Sequence, residues 1–378
     1  MSIMHKAASA GMWTLGRLLP VQKNKIVISS YYGRGYGDNA KPIVEELLKR
    51  TCNLDIVWMV NDDAAAETLP SGVRPVKNTL WNRIRELCTA KIWIDNCRKG
   101  ARVKKQGQWY LQTWHGFALK RIEKDAAASL PADYPQYAGR DSAQTDLIVS
   151  NSALMTKIYN ESFWYHGEVL EFGSPRNDVF FVPAENVKEK VRAALDVPED
   201  CFMVLYAPTF RADGSMDAYS VDYARLQKAL AERFGGKWVA LIRLHPNVMS
   251  KAKDLDIDGI NTFDATRYDD MQELLAAADA VISDYSSLMF DYGLTKRPCF
   301  QFATDIAAYE KDRNFYFPLR KMPFPLAQNN DALESVIQHW EQDEAEKAWD
   351  AFCAEFGICE DGKASARCVD WILEKMKG

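Results

Sequence analysis

The sequence lacks several patterns that would assign it to a familiar class at once. Its 378 residues contain no run of about 18 or more uncharged apolar residues, so no transmembrane helix is predicted. The eight cysteines form no C-x-x-C pair, and they indicate neither a zinc site nor a disulfide framework. Scattered cysteines of this kind fit a reducing compartment. A net charge of −5 argues against a dedicated nucleic-acid-binding protein, so no nucleic-acid partner is expected.

The first 19 residues also lack the uninterrupted apolar core of a signal peptide. They place apolar residues on one helical stripe instead, which comprises Met4, Ala8, Gly11, Leu15 and Leu18. Two interpretations fit this stripe. It belongs to an amphipathic helix that packs on the protein itself, or to one that lies in a membrane interface.

The composition is that of a globular protein with material for two hydrophobic cores. Hydrophobic residues make up 47% of the chain and charged residues 26%, and the length predicts two domains. Strands alternate with helical segments, which indicates mainly parallel, doubly wound α/β sheets. The predicted strands are 25–30, 54–60, 91–96, 109–114, 147–151 and 169–172, and then 202–207, 238–244, 259–263, 280–282 and 299–302. The pattern restarts between these two sets, so a domain boundary is predicted near residues 178–186.

The segment 277–293 combines a short apolar strand, a polar turn and an apolar segment of helical spacing. The turn contains Ser283, Asp284, Ser286 and Ser287. A helix that begins there directs backbone N–H groups and the positive end of its dipole towards a ligand above the strand, which suits a phosphate or diphosphate. The alternative is that these residues only cap the helix, which is their commoner role.

A glycine-rich turn, 33–37 (GRGYG), follows the first predicted strand. Its glycines do not match G-x-G-x-x-G, and no acidic residue follows at the expected place, so a dinucleotide site is not indicated. The turn still fits a loop whose backbone approaches a ligand closely.

Four polar segments follow predicted strands: 113–116 (TWHG), 207–211 (APTFR), 243–246 (RLHP) and 283–287 (SDYSS). Ligands of open α/β sheets bind beyond the carboxyl ends of strands. A single histidine at a strand end is usually structural. Here His115 and His245, one in each half, accompany an arginine and a phosphate-type turn. That combination is typical of phosphoryl transfer, which needs a base, cations to hold charge and a helix N-terminus.

In these segments the sequence resembles the CDP-glycerol glycerophosphotransferase family, which builds teichoic-acid and related capsule polymers. Further matching segments are 25–28 (KIVI), 35–39 (GYGDN), 173–178 (GSPRND) and 361–365 (DGKAS), in the family's order. The resemblance implies an α/β, GT-B-like fold in which two Rossmann-like, doubly wound domains face a central cleft. Residues 1–180 would be the acceptor domain, and residues 181–378, with the C-terminal helices, the CDP-donor domain.

The resemblance also implies roles for individual residues. His115 would be the general base on the acceptor hydroxyl, and His245 a second catalytic residue at the donor diphosphate. The implied donor-binding residues are Thr209, Arg211, Ser283, Asp284, Ser286 and Ser287. The implied acceptor-binding residues are Gly35, Asp38, Asn39 and Lys120. Asp284 is also a candidate helix cap, and Lys120 also fits a solvated basic face; no metal site is expected.

The predicted activity is transfer of glycerol phosphate or ribitol phosphate from CDP-glycerol or CDP-ribitol, with release of CMP and no tightly bound cofactor. The expected acceptor is a lipid-linked or growing polymer. The expected location is cytoplasmic and peripheral, at the inner face of the cell membrane. One alternative is a GT-B glycosyltransferase with a nucleotide-sugar donor. Another is a catalytically silent polymer-binding module, against which the paired histidines argue.

Overall fold

The computed structural model describes residues 3–99, 104–211, 220–244, 261–312 and 314–377. The chain folds into two units, each formed from separate stretches of the sequence. Unit 1 comprises Met1–His115, Ile122–Asp178 and Ile358–Gly378. Unit 2 comprises Gly116–Arg121 and Val179–Gly357.

Unit 1 is built on a parallel sheet. Its strands are β1 (Gln22–Ser29), β2 (Asp55–Val60), β3 (Val73–Lys77), β4 (Ala90–Asp95), β5 (Trp109–Gln112), β6 (Leu147–Ser150) and β7 (Glu168–Glu171). They lie in the order β3-β2-β1-β4-β5-β6-β7. Trp58 of β2 and Trp93 of β4 are fully buried, as expected for a parallel sheet that is covered on both faces.

The helices of unit 1 are α1 (Ile3–Leu18), α2 (Ala40–Arg50), α3 (Asp63–Glu67), α4 (Leu80–Thr89), α5 (Tyr134–Ser142), α6 (Ala153–Ser162) and, at the end of the chain, α14 (Ala364–Lys377). Polar N-caps fix the start of several of them. The Ser152 hydroxyl, for example, accepts a hydrogen bond from Met155 N at 3.1 Å at the start of α6.

The C-terminal helix α14 contributes to the core of unit 1. Cys368 and Ile372 are fully buried in the same hydrophobic cluster as the strands of the first sheet. At the start of the helix, the Asp178 carboxylate accepts hydrogen bonds from Ala364 N at 3.0 Å and Ser365 N at 2.8 Å. The helix is therefore fixed to unit 1 by apolar packing and by a charged cap.

This placement differs from the predicted division into 1–180 and 181–378. The division after Asp178 falls close to the predicted boundary, but residues 358–378 belong to unit 1 and not to the second domain. Helical periodicity predicts that a helix forms and which face is apolar, but not which of two sheets that face covers.

Unit 2 is built on a second parallel sheet. Its strands are β8 (Cys201–Tyr206), β9 (Lys237–Ile242), β10 (Thr262–Asp264), β11 (Ala280–Ser283), β12 (Cys299–Phe302) and β13 (Leu326–Ala327). They lie in the order β10-β9-β8-β11-β12-β13. Its helices are α7 (Glu185–Leu195), α8 (Tyr223–Phe234), α9 (Met271–Ala277), α10 (Leu288–Gly293), α11 (Ile306–Asp312), α12 (Asn330–Gln338) and α13 (Gln342–Phe356).

The segment Gly116–Arg121 belongs to unit 2 although the residues on either side of it in sequence belong to unit 1. Phe117 packs on Phe290, with ring centroids 4.8 Å apart, and lies 5.9 Å from Phe352. Arg121 N donates a hydrogen bond to a backbone carbonyl of unit 2 at 2.9 Å. The residues directly after His115 are thus part of the second core.

The strands predicted from the sequence agree with those observed to within a few residues, except that residues 259 and 260 of the predicted strand 259–263 lie outside the described residues. The described residues also form two strands that the sequence analysis does not predict. β3 contains Arg74, Pro75 and Lys77 and lies at a sheet edge, where charge and proline are tolerated. β13 has only two residues and lies at the edge of the second sheet. None of the helices in the described ranges combines the length and apolar character that a bilayer-spanning helix requires.

Candidate active site

Polar residues that follow three other strands of unit 1 surround the turn that contains His115. Asp38 and Asn39 lie in the segment after β1, Asn96 follows β4, His115 follows β5 and Arg176 follows β7. The carboxyl ends of parallel strands meet at one edge of a sheet, which is where α/β proteins bind ligands. The predicted position of His115 at such an edge is observed.

The His115 ring is oriented by a hydrogen bond to a backbone carbonyl. Its Nδ1 lies 2.7 Å from the carbonyl oxygen of Asn96. A carbonyl can only accept, so Nδ1 carries the proton, and in the neutral ring Nε2 is the basic nitrogen. Burial lowers the pKa of His115 below its ordinary value, although the Asn96 carbonyl and the Asp38 carboxylate act in the opposite direction. The ring is therefore neutral at physiological pH.

Aromatic rings flank His115. The imidazole stacks on Trp114 with ring centroids 4.3 Å apart and an interplanar angle of 25°. The Tyr31 ring lies 5.7 Å away and is tilted by 50°. The next residue, Gly116, has a φ of 121°, which residues with a side chain rarely adopt. Glycine at this position thus lets the chain turn directly after the histidine.

Asp38 is part of a buried ion pair beside the histidine. Its Oδ2 accepts hydrogen bonds from Arg176 Nη1 at 2.8 Å and from the Tyr31 hydroxyl at 2.9 Å. Its Oδ1 accepts from Asn39 N at 2.8 Å and from Asn96 Nδ2 at 3.0 Å. Burial alone raises the pKa of a carboxyl, but the Arg176 charge and these hydrogen bonds outweigh it and lower the pKa of Asp38. Asp38 is therefore an anion close to the imidazole.

Asn39, expected to contact an acceptor, instead links backbone segments. It is only 1% exposed. Its Nδ2 donates to the Trp114 carbonyl at 3.0 Å, and its Oδ1 accepts from Arg176 N at 3.1 Å. Arg176 Nη1 in turn donates to the His115 carbonyl at 2.9 Å. These contacts assign Asn39 and Arg176 to positioning of the histidine turn.

The other two residues expected at the acceptor, Gly35 and Lys120, make different contacts. The Gly35 carbonyl accepts a hydrogen bond from Trp58 Nε1 at 3.2 Å, so Gly35 is fixed to the sheet. Lys120 lies in unit 2, where its Nζ is 5.3 Å from the centre of the Tyr309 ring. It is therefore not in the same unit as Gly35, Asp38 and Asn39.

In unit 2, Arg211 is held by two carboxylates. Its Nε and Nη2 donate to the two oxygens of Asp305 at 2.7 and 3.0 Å, and its Nη1 lies 2.8 Å from Asp284 Oδ2. Nη1 also donates to the Thr209 carbonyl at 2.6 Å. Burial alone lowers the pKa of an arginine, but both carboxylates outweigh it and raise the pKa of Arg211. The guanidinium that was expected to hold a diphosphate is thus engaged within the protein.

The predicted serine turn contains both buried and accessible residues. The Ser283 hydroxyl is fully buried and donates to the Ala207 carbonyl at 2.6 Å. Asp284 Oδ1 accepts from Thr209 N at 2.8 Å and from Tyr285 N at 2.6 Å. Ser283 and Asp284 therefore join the turn to the segment after β8, and Asp284 does not cap α10, whose N-cap residue is Ser287.

Ser286 and Ser287 are half-buried, which distinguishes them from Ser283. Ser287 makes no side-chain capping hydrogen bond to α10, and the Ser286 hydroxyl accepts a long hydrogen bond of 3.5 Å from Leu288 N. Of the predicted donor-binding hydroxyls in this turn, these two are accessible. His245, the second predicted catalytic residue, lies outside the described residues.

Sequence reasoning missed three polar residues that build these sites: Asn96, Arg176 and Asp305. Each follows a strand at its carboxyl end, so the strand-end rule contained the signal. Arg176 belongs to the family-matching segment 173–178, but that segment carried no assigned role, and Asn96 and Asp305 belong to none of the quoted segments. Among the described residues, no group of three or more His, Cys, Asp or Glu side chains is arranged to hold a metal ion.

The chain is similar to proteins of teichoic acid synthesis. Residues 12–374 match the sequence model of the CDP-glycerol:poly(glycerophosphate) glycerophosphotransferase family. The teichoic acid poly(glycerol phosphate) polymerase of Staphylococcus epidermidis is 32% identical over 94% of this chain, which spans only 51% of that relative. The teichoic acid glycerol-phosphate transferase of Staphylococcus aureus is 29% identical, with 93% of both chains covered.

A solved structure shows the same fold. A variant of the wall teichoic acid polymerase TagF superimposes with a TM-score of 0.87 and 30% sequence identity, covering 99% of this chain and 95% of that chain. This likeness confirms the predicted α/β, GT-B-like class with two Rossmann-like domains.

Proposed function

The chain belongs to the CDP-glycerol:poly(glycerophosphate) glycerophosphotransferase family, and on this basis we propose that it transfers a polyol phosphate from a CDP-activated donor to a hydroxyl group. The donor is CDP-glycerol or CDP-ribitol, without a tightly bound cofactor, and CMP is released. The acceptor is a lipid-linked precursor or a growing teichoic-acid-type polymer. One observation carries the proposal: the hydrogen bond from His115 Nδ1 to the Asn96 carbonyl makes Nε2 the basic nitrogen.

In the proposed reaction, Nε2 of His115 accepts the proton of the acceptor hydroxyl while the hydroxyl oxygen attacks the phosphorus that carries the polyol. A P–O bond to the acceptor forms, the diphosphate P–O bond to CMP breaks, and CMP leaves with the electron pair. The Asp38 carboxylate favours the imidazolium that results, because an opposite charge nearby stabilises the charged form.

Ser286 and Ser287 are the residues that we assign to the donor diphosphate. Their half-buried hydroxyls follow β11, and hydroxyls donate strong hydrogen bonds to anionic phosphate oxygens. Arg211, Ser283 and Asp284 act indirectly by fixing this turn. His245 is proposed to stabilise the charge that develops on the departing CMP.

The helix α1 supports contact with a membrane surface. Its inner side packs on α4: Trp13 is buried, and a Cβ on Gly16 would lie 2.6 Å from Ile84 Cγ2. Its outer side exposes Leu15 and Leu18 by 58% and 78%. Thr14 and Arg17 are exposed beside these leucines, and the side chains of Met4 and Ala8, the other large part of the predicted stripe, lie outside the description. A helix that is fixed to the protein on one side and exposes apolar and basic side chains on the other is suited to lie in a bilayer interface. We therefore propose that the enzyme is peripheral at the inner face of the cell membrane.

Donor turnover tests the proposed function. The purified full chain is incubated with CDP-glycerol, CDP-ribitol or a UDP-hexose, with and without a synthetic lipid-linked acceptor, and nucleotide release and product mass are measured. We expect CMP release with one CDP-polyol and an acceptor that gains the mass of one or more polyol phosphates. Transfer of a hexose would indicate a glycosyltransferase, and no turnover with any donor would indicate a binding module.

A further inference from the structure

Trp114 makes a close ring contact with His115 but is itself shielded from solvent. The stacked rings have centroids 4.3 Å apart, and Trp114 is buried. The indole therefore contacts the imidazole without offering a surface to a substrate. Any effect that it has on the reaction acts through His115.

The backbone of Trp114 is fixed in a conformation that favours this contact. Its φ of 51° lies in the left-handed region, which residues other than glycine rarely adopt. Trp114 N donates to Gln112 Oε1 at 2.9 Å, and its carbonyl accepts from Asn39 Nδ2 at 3.0 Å and from the Thr113 hydroxyl at 3.1 Å. Hydrogen bonds on both sides of the residue thus maintain the turn that places the indole against the imidazole.

The Arg98 guanidinium also lies near the face of the indole, but carboxylates balance its charge. Arg98 Cζ is 5.8 Å from the Trp114 ring centre. Arg98 is buried and pairs with Glu123 at 2.7 Å and with Asp141 at 3.3 Å. Since two carboxylates pair with one guanidinium, this cluster brings no net positive charge to the indole.

We propose that Trp114 is a positioning residue for His115, whose indole face orients the imidazole and stabilises the imidazolium that forms when Nε2 accepts a proton. The face of an indole carries negative charge density and attracts a cation within about 6 Å of the ring centre. The attraction is stronger for the imidazolium than for the neutral ring, so it grows during proton transfer. The inference rests on the proposed role of His115 as general base.

Two substitutions separate orientation by packing from attraction by the aromatic face. Trp114→Phe retains an aromatic face, whereas Trp114→Leu retains apolar volume without one. The other charged groups near the imidazole, Asp38, Arg176 and Glu123, are the same in both variants. A difference between the two variants therefore reports on the aromatic face.

The readout that does not depend on turnover is the pKa of His115, measured by NMR titration of labelled histidine rings. The chain has five histidines, and a His115→Gln variant assigns the signal. Without the aromatic face the imidazolium is less favoured, so the pKa of His115 should fall by about 1 in Trp114→Leu and change little in Trp114→Phe. The kcat for CMP release should fall about tenfold in the leucine variant. In the pH profile of kcat, the decline on the acid side should move to lower pH.

An unchanged pKa of His115 in Trp114→Leu would overturn the inference, as would equal losses of kcat in both variants. Circular dichroism checks that each variant is folded, and Trp114→Met gives the same comparison if the leucine variant is not. Failure of the wild-type chain to transfer any polyol phosphate would overturn the proposed function instead. The NMR titration would still test the contact between Trp114 and His115.

Discussion

Arg211 donates two parallel hydrogen bonds to Asp305, from Nε to Oδ2 at 2.7 Å and from Nη2 to Oδ1 at 3.0 Å. Such a planar fork is the geometry in which arginine binds a carboxylate most specifically. It joins the segment after β8 to the segment after β12, and the pair to Asp284 extends it to the serine turn. Arg211 therefore links the segments that follow three strands, β8, β11 and β12.

Replacing Arg211 should lower the thermal stability of the protein, whereas the affinity for the donor should change little. Arg211→Lys keeps the charge but loses the fork, and hydrogen bonds between charged groups contribute roughly 1.5–3 kcal/mol. We expect a Tm lower by several degrees in a circular dichroism melt. Arg225→Lys is the control, because Arg225 also donates hydrogen bonds to two carboxylates, those of Asp331 and Glu334, but at the surface, where such pairs contribute little to stability. A weaker donor Kd with an unchanged Tm would make Arg211 a donor ligand after all.

Removing the base should affect the chemical step selectively. His115→Gln cannot accept a proton, so turnover should fall by about two to four orders of magnitude. Donor affinity, measured by calorimetry with the CDP-polyol, should stay close to that of the wild type. His339→Gln is the matched control, since His339 Nδ1 also lies 2.8 Å from a backbone carbonyl but on an exposed helix end. Normal turnover of His115→Gln would reject the assignment.

The ionisation of Asp38 should make the stability of the folded protein depend on pH in the acidic range. The folded-state pKa of Asp38 lies below its ordinary value of 3.8, so its stabilising effect is complete above pH 3.8 and is lost as the pH falls further. At neutral pH, Asp38→Asn leaves the buried Arg176 without its carboxylate and should lower the Tm. The Tm values of variant and wild type should converge on acidification. A difference that is constant from pH 7 to pH 3 would contradict the predicted role.

The two classes of serine in the turn should give opposite phenotypes. Ser286→Ala should weaken donor binding by about 1–3 kcal/mol, since a charge-assisted hydrogen bond is lost, and should leave the Tm unchanged. Ser283→Ala should lower the Tm, because the buried Ala207 carbonyl loses its donor. The Kd of the CDP-polyol and the thermal melt of each variant distinguish these outcomes. If both variants lost the same affinity for the donor, the distinction between the accessible Ser286 and the buried Ser283 would be wrong.

The exposed side of α1 should be required for membrane binding without being required for folding. Replacing both Leu15 and Leu18 by serine removes two exposed apolar side chains and should reduce co-sedimentation with anionic vesicles by about tenfold or more. Val182→Ser is the control, because Val182 is an apolar residue that is 55% exposed in unit 2. Equal sedimentation of the leucine variant and the wild type would dismiss contact through α1.

Much of the fold was predictable, because buried parallel strands form short apolar runs and the polar motifs follow them directly. His115 and the serine turn were placed at strand ends on this basis, and both lie there. The edge strand β3 was missed because its charged and proline residues do not match the pattern of a buried strand. The position of α14 could not be predicted, since its apolar face suits either sheet.

The roles of individual polar residues were less predictable than their positions. Arg211, Ser283 and Asn39 belong to the right segments, but in the structure their polar atoms bind other parts of the protein. A motif shows that a residue type is needed at a strand end. It does not show whether the side chain points outward to a ligand or inward to fix the turn. The direction of each side chain depends on its partners in the folded structure. Asn96 and Asp305 are such partners, and they follow other strands than the residues that they contact.

The location of α14 affects how the protein is made. Residues 358–377 are synthesised after all of unit 2, yet Cys368, Trp371 and Ile372 belong to the same core as residues of β1 and β2. The first unit cannot be finished on the ribosome until the whole of the second has been translated, so its apolar surface stays uncovered throughout that time. We therefore expect the nascent chain to be prone to aggregation until these residues have been made. A premature stop after Gly357 would leave unit 2 complete in sequence but would remove α14 from unit 1, which carries His115.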